Sequence, residues 1–434
     1  MWRANQNTYQ FGLSAVFLCI LILFLLGVHP PFNTPRHTDE DPGSRQSSKT
    51  PASSAKAPAD TNTWTFNTRR DAENYGLSDE QCTAAFPKLY TDIEHMKSKF
   101  QNRRISKADI DAVSHGWSIR LMIYEGQLYV IGGLGLHRPM TRGMASLHSI
   151  NQALIAYPAR RSLPNIEAVL YTDDDASIEG PGPLWTYTKN AAEPKFDEMW
   201  LAPDFGFYAW PEPKIGTYDE VRRKIADVEH GLPFEEKKRQ LVWRGRWGNQ
   251  FRRDFLNVTE GKKWAAVRSV RWKSSKSLKK DLLSMPDHCK YQMVMHITGN
   301  TWSGQGKYMH NCESVWITNE GSRGWREIYD SALEASGPEQ NYVSVKDDWS
   351  DLESTVRDLL DNPQKGKAIA QQSASVLRDR YLTPAAIACY WRKLIRAWGE
   401  VSFEPEFYGK DRESWRGVPF GSVALLGETE WEAS

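Results

Sequence analysis

Asp287 to Ser314 reads D-H-C-K-Y-Q-M-V-M-H-I-T-G-N-T-W-S-G-Q-G-K-Y-M-H-N-C-E-S, and the order of residue types in it points to the fold. Tyr291 to Ile297 is apolar and aromatic, the composition of a buried strand. Gly299 to Gly306 then brings three glycines with Thr301 and Ser303, and Lys307 opens a predicted helix. Strand, small-residue loop and helix start together offer backbone N–H groups to an anion, so the stretch predicts a phosphate-binding turn in an α/β protein. A glycine-rich turn with a structural role has the same pattern, and spacing alone leaves both readings open. Cys289 and Cys312 flank the loop, and Trp302 sits within it.

Upstream, the same alternation of helix and strand signals recurs. Ser78 to Asn102 has a helical pattern, with Ser78 as N-cap, Gln81 at capping-box spacing and Pro87 as an interruption. Ser106 to Ser114 and Met144 to Tyr157 also read as helices. Ile119 to Tyr124 and Gln127 to Ile131, separated by Glu125-Gly126, predict a hairpin. Ile166 to Thr172 is a short apolar run that ends in Asp173-Asp174-Asp175, a strand with acid at its C-terminal end. Carboxylates in that place serve α/β enzymes in two ways, as a general base for an acceptor hydroxyl or as a D-x-D clamp for a metal-bound diphosphate. An exposed acidic turn is the third reading.

Phe205 to Glu212 is a dense aromatic loop containing Phe207, Tyr208 and Trp210, suited either to stacking on a sugar or to wedging two halves apart. Tyr218 to Gln240 is charged and predicts a crossover helix into a second half. Leu241 to Trp243 starts a strand, and Arg244-Gly245-Arg246 with Arg252-Arg253 follow it. Arginines on a strand-to-helix turn grip a diphosphate bidentately, or else form a solvated basic helix start. Ser314 to Thr318 and Tyr342 to Val345 predict further strands, Ser350 to Glu353 a capping box, and Thr383 to Trp398 a last amphipathic helix.

Composition narrows the function classes. The chain has 434 residues, 25% charged and 12% aromatic, with a net charge of +1, which argues against nucleic acid as a partner. Phe11 to Val28 carries no charge and is long enough to span a bilayer, and His29-Pro30-Pro31-Phe32 after it supplies no small-x-small cleavage site. An uncleaved signal anchor with the bulk of the chain in the lumen is therefore expected. From Pro30 to about Asn67 the chain is Pro, Ser, Thr, Ala and charge, a stem unable to bury a core. Cys82, Cys289, Cys312 and Cys389 fit an oxidising lumen and allow three pairings, among which spacing does not choose. Asn257-Val258-Thr259 is a glycosylation sequon, so Asn257 is a candidate modification site.

Asp287-His288-Cys289-Lys290-Tyr291, the Gly299 to Ser303 loop, Trp243-Arg244-Gly245, Trp210-Pro211-Glu212, Lys346 to Leu352 and Cys389-Tyr390-Trp391 together resemble glycosyltransferase family 90. That family contains the capsule-associated glycosyltransferases and the Rumi-like protein O-glucosyltransferases. The resemblance runs in order from Cys82 to Trp398.

It implies an α/β fold of GT-B type, two Rossmann-like domains facing a cleft, and inverting transfer of xylose or glucose from a UDP-sugar to a glycan or glycoprotein hydroxyl. The implied organisation is a cytoplasmic tail over 1–10, an anchor over 11–28, a stem over 29–75, an acceptor domain over 76–238, a donor domain over 239–400 and a C-terminal tail over 401–434. A single-pass type II Golgi membrane protein is expected. Asp174 matches the family's catalytic Asp, with Asp173 and Asp175 as one-residue alternatives. Arg252 matches an Arg on the donor diphosphate, and Asn300, Thr301, Trp302 and Ser303 match the donor loop. Arg244, Gly245, Arg246, Gln305 and Lys307 complete the expected donor contacts, and Phe207, Tyr208, Trp210 and Glu212 the acceptor or sugar contacts. The resemblance also implies the disulfides Cys289–Cys312 and Cys82–Cys389, no tightly bound cofactor and no required metal, with Mn²⁺ as the alternative if Asp173 and Asp175 act as a D-x-D pair.

Two departures bear on activity. Arg246 stands where Rumi-like members carry Ser, and Gln305 where they carry Arg. Loss of one arginine beside gain of another preserves charge toward a diphosphate, alters donor choice, or marks a catalytically silent member that binds glycans or scaffolds a complex. The last four residues, Trp431-Glu432-Ala433-Ser434, are not an ER-retrieval tetrapeptide.

Overall fold

The computed structural model of the chain describes residues 64–114, 116–133, 139–210, 215–271, 273–410 and 412–426. The expected anchor over 11–28, residues 29–63 of the expected stem, and Glu212 lie outside these residues, whereas the end of that stem, 64–75, is folded, with the helix Thr68–Asp71 and with Asp71 and Ala72 buried. Among the described residues no helix is long and apolar enough to cross a membrane.

Two sheets carry the architecture. The first contains β1 (Ser118–Tyr124), β2 (Gln127–Gly132), β3 (Ile166–Tyr171), β4 (Trp185–Thr186) and β5 (Trp200–Leu201). The strand Val418–Pro419 adds to β2, so the order across this sheet is 418–419, β2, β1, β3, β4, β5. β1 lies antiparallel to both β2 and β3, whereas β3, β4 and β5 run parallel. The reversal at β1–β2 is local: Glu125 and Gly126 sit at φ of 49° and 72°, the left-handed pair that a two-residue hairpin requires. β3 is buried at every position, as its apolar run predicts.

The second sheet is wholly parallel. Its strands are β6 (Lys238–Gly245), β7 (Ala265–Ser269), β8 (Tyr291–His296), β9 (Val315–Asn319) and β10 (Val343–Val345), in the order β7, β6, β8, β9, β10. The chain therefore reverses its direction of travel across the sheet between β6 and β8. In open α/β sheets such a switch point leaves a crevice outside the carboxyl ends of the two strands.

Four helices matter for the site and for what holds the sheets. They are α1 (Pro139–Ile155), α2 (Tyr218–Glu229), α3 (Gln250–Thr259) and α4 (Pro384–Val401). α2 ends well before the predicted Gln240, because Gly231 and Pro233 follow it and neither continues a helix. The capping box at Ser78 forms in both directions with Gln81, and Pro87 opens a short 3-10 turn before the helix resumes at Thr91. The box predicted at Ser350 does not form. The helix starts at Leu352 without a side-chain cap, and the Glu353 carboxylate is taken by Lys262 and Arg357, both at 2.7 Å.

α4 follows the second sheet in the chain but packs on the first. Trp398 meets Trp185 and Trp200 edge-on at 5.7 and 5.4 Å between ring centroids, and its indole N–H donates to Glu167 O at 3.0 Å. Trp391 donates to Ser149 Oγ at 2.9 Å, and the Tyr390 hydroxyl to Leu201 O at 3.0 Å. The α4 rings Tyr390, Trp391 and Trp398 satisfy their polar atoms while covering apolar area, and each edge-to-face pair adds about 0.5–1.5 kcal/mol beyond burial. Cys82–Cys389 staples α4 to the N-terminal helices, and Cys289–Cys312 closes the stretch around the glycine loop, so both implied disulfides are present. Residues after α4 return to the first sheet, where Arg416 and Arg120 both ion-pair with the fully buried carboxylate of Glu167.

Candidate active site

Two strand-to-helix turns meet at the switch point. The first, Gly245 to Asn249, leads from β6 into α3. The second, 299–306, leaves β8 and enters the short helix Gly306–Met309. Asn249 joins them: its side-chain oxygen accepts from Arg252 N at 3.0 Å as the α3 N-cap, and its amide donates to Thr298 O at 2.9 Å and to Gly299 O. Asn300 is exposed on the second turn, whereas Thr301 and Trp302 are buried.

Arg252 lies beneath both turns. Its Nη1 donates to Arg246 O at 3.1 Å and its Nη2 to Ile297 O at 2.8 Å, and the guanidinium sits 5.7 Å over the Trp243 ring. Among the described residues no carboxylate pairs with it and its Nε has no partner. Burial alone lowers its pKa to about 10. A desolvated cation held by carbonyls is costly unless an anion completes the site. Arg246 and Trp247 are exposed beside it, while the Arg244 guanidinium donates to Trp243 O and Ala266 O along the strands.

Gln305 and Lys307 do not face the crevice. The Gln305 amide donates to His288 Nε2 at 3.2 Å, which pairs with donation from His288 Nδ1 to Ser284 O at 2.8 Å and defines a neutral imidazole. Burial lowers the His288 pKa to about 4, in agreement. Lys307 is fully buried. Its ammonium pairs with Asp204 at 2.7 Å, donates to Gly304 O at 2.8 Å, and sits 5.2 Å over the Trp302 ring and 5.1 Å over the Tyr308 ring. Lys307 thus supports the glycine loop from below.

The aromatic loop is the wedge that meets this turn. Trp210 lies against Gly304, where an added Cβ would come within 3.0 Å of its ring, and packs edge-on against Phe205 at 5.4 Å. Phe207 is buried against Tyr218 at 5.3 Å. Tyr208 stacks on His148 at 5.0 Å.

The acids after β3 have distinct partners. Asp173 and Asp174 both accept from Arg142 Nη1, at 2.8 and 2.9 Å, with side chains 42% and 61% exposed, so Asp174 is the more open. Asp175 instead accepts from Ser177 N and Oγ, at 3.1 and 2.6 Å. Asp173 and Asp175 are therefore held by different groups. The Arg142 guanidinium lies 5.0 Å over Phe205, so contacts run unbroken from the acids through the aromatic loop to the glycine turn. Sequence reasoning missed Arg142 and Asp204, which lie in no motif; their proximity to the acids and to Lys307 exists only in three dimensions.

A charged cavity of about 460 Å³, lined in part by Arg239, Lys262, Trp264 and Glu353, lies at the opposite end of the parallel strands, away from this chemistry.

The profile of glycosyl transferase family 90 matches residues 78–409, most of the chain. The chain belongs to glycosyltransferase family 90. Both crevice turns, the acid run and the two disulfides lie inside the matched span. This family 90 chain is similar to the O-glucosyltransferase rumi of Drosophila pseudoobscura pseudoobscura, 25% identical over 349 residues that cover 74% of this chain and 78% of the relative. The O-glucosyltransferase rumi of Drosophila melanogaster is 26% identical over 263 residues, 55% of this chain and 61% of that protein. The O-glucosyltransferase LpsA of Dichelobacter nodosus is 25% identical over 160 residues, 35% of this chain and 49% of that protein. Family 90 membership makes the chain a glycosyltransferase.

Proposed function

We propose that this glycosyltransferase transfers xylose or glucose from a UDP-sugar to a hydroxyl of a glycan or glycoprotein, with inversion at the anomeric carbon. The observation that carries the reading is Arg252, a half-buried guanidinium with a buried Nε and, among the described residues, no acidic partner, set beneath two glycine-bearing turns at the switch point of a parallel sheet. The UDP diphosphate is its counter-anion. Loop N–H groups and the α3 N-terminus supply further donors.

In the proposed reaction the acceptor oxygen attacks the anomeric carbon from the face opposite the diphosphate. The bond from that carbon to the phosphate oxygen breaks, and its electron pair leaves with UDP. The acceptor proton passes to the Asp174 carboxylate. No metal is required, since Arg252 and the loop donors meet the charge developing on UDP. The two sheets correspond to the acceptor and donor halves of a GT-B cleft, and the 11–28 run to a Golgi signal anchor that places both in the lumen.

UDP release with a panel of UDP-sugars and acceptors, with and without EDTA, tests the reading. Turnover with one donor that survives EDTA and falls about a hundredfold to ten-thousandfold in Asp174→Asn, with the thermal midpoint retained, is the expected result. Strict Mn²⁺ dependence, or full activity in Asp174→Asn, would overturn it.

A further inference from the structure

Arg142 has a geometry that folding alone does not account for. One nitrogen, Nη1, donates to Oδ1 of both Asp173 and Asp174, at 2.8 and 2.9 Å. Both carboxylates are substantially exposed, and an ion pair of that kind contributes little to stability. What it does supply is position. Two adjacent carboxylates repel each other, and a short side chain as open as Asp174 samples several rotamers unless something restrains it. A shared guanidinium offsets the repulsion and restrains Oδ1 of Asp174, leaving Oδ2 to receive a proton.

The other side of Arg142 faces the donor machinery. Its guanidinium covers the Phe205 ring at 5.0 Å. Phe205 follows Asp204, the buried partner of Lys307, and Lys307 in turn holds the Gly304 carbonyl of the glycine turn. Phe205 also packs on Trp210, which lies against Gly304. The acid run and the donor turn are thus tied by two routes that share Phe205 and its neighbour.

We propose that Arg142 is a positioning residue of the transfer reaction, orienting the Asp174 carboxylate and setting its distance from the donor turn through Phe205 and the Asp204–Lys307 pair. This rests on the reading of Asp174 as the base. A displacement of about 1 Å in a reacting group lowers turnover about a hundredfold, so loss of Arg142 acts on kcat rather than on donor binding.

The test uses the full-length protein and UDP release at saturating acceptor. Arg142→Ala is expected to lower kcat about a hundredfold while the UDP-sugar KM and the thermal midpoint stay at wild-type values. Added guanidinium ion should restore part of that loss in Arg142→Ala and none in Asp174→Asn. The double variant Arg142→Ala/Asp174→Asn should be no slower than Asp174→Asn alone, because Arg142 acts through the base. If Arg142→Ala fails to fold, Arg142→Gln gives the same kcat and KM comparison. Wild-type kcat in the folded variant, a rise in donor KM that accounts for the whole loss, or fully additive losses in the double variant would each overturn the proposal while leaving the base reading intact. Full activity in Asp174→Asn would remove the base reading and the proposal with it.

Discussion

Arg252 and Asp174 contrast in what surrounds them. Among the described residues Arg252 is held by main-chain carbonyls and the Trp243 ring and by no carboxylate, so its charge is available to a ligand; Asp174 is open and held by Arg142. Arg252→Ala is expected mainly to raise the UDP-sugar KM or Kd, because most of the diphosphate contact exists before the transition state, with a smaller loss of kcat from the charge that develops on departing UDP. Calorimetric titration with UDP checks this, and unchanged affinity would remove Arg252 from the site.

Other buried residues record protonation in the fold. Burial raises the Glu327 carboxyl to about 8 from 4.5, with its Oε2 accepting from the Tyr329 hydroxyl at 2.8 Å. Burial lowers His296 to about 3 and His288 to about 4, from 6.5, and pushes His310 well down. From about pH 4.5 to 6.5 the unfolded chain binds protons on His288, His296 and His310 that the native state refuses, which favours the native state as pH rises. Stability therefore rises with pH through that window. From 6.5 to about 8 native Glu327 retains a proton that the unfolded chain has released, so its contribution to stability falls as pH rises. Thermal midpoints across pH should peak near 6.5, and Glu327→Gln should flatten the decline above it.

At the scale of elements, the glycine turn depends on two close approaches. An added Cβ at Gly306 would lie 2.9 Å from the Tyr329 hydroxyl and 3.1 Å from His296, both in packed core, whereas at Gly304 it would meet Trp210 and Trp302 at 3.0 and 3.2 Å. Gly306→Ala is expected to destabilise by about 1–3 kcal/mol and to shift the turn, raising donor KM together with the loss in thermal midpoint. The local signals for such elements were legible. The Ser78 box, the Glu125-Gly126 hairpin and the strand before Gly299 each rest on neighbours in sequence, and each forms. The Ser350 box does not form because Asp348 accepts the Ser350 N–H while Arg357 and the distant Lys262 hold the Glu353 carboxylate. Gln305 illustrates the same limit: its departure from the family pattern was visible, but its partner His288 lies 17 residues away in another element.

Over the described molecule, the chain returns to the first sheet. α4 and the residues after it complete the first sheet, and the Cys82–Cys389 disulfide closes a sequence separation of 307 against 23 for Cys289–Cys312. Removing a disulfide that constrains a longer loop returns more entropy to the unfolded chain and so costs more stability, in a model that puts typical values at about 2–4 kcal/mol. Thermal midpoints of Cys82→Ser/Cys389→Ser and Cys289→Ser/Cys312→Ser should therefore both fall, the former further. An equal or reversed order would assign the larger role to local packing around the glycine turn.

The sequence by itself determined the α/β alternation, the place of the glycine turn between a buried strand and a helix, the acid at the end of β3 and the family. The first three follow from periodicity, capping and turn chemistry, which act between residues a few positions apart, and the family from the resemblance of motifs spread along the chain. Tertiary structure alone decided that Lys307 supports the turn from below, that Arg142 holds Asp173 and Asp174, that Asp175 serves Ser177, and that α4 packs on the first sheet. The physical reason is that an ion pair or a ring contact depends on distance in space. Asp204 and Lys307, or Glu167 and Arg416, meet only after the intervening chain has folded and removed water from around them.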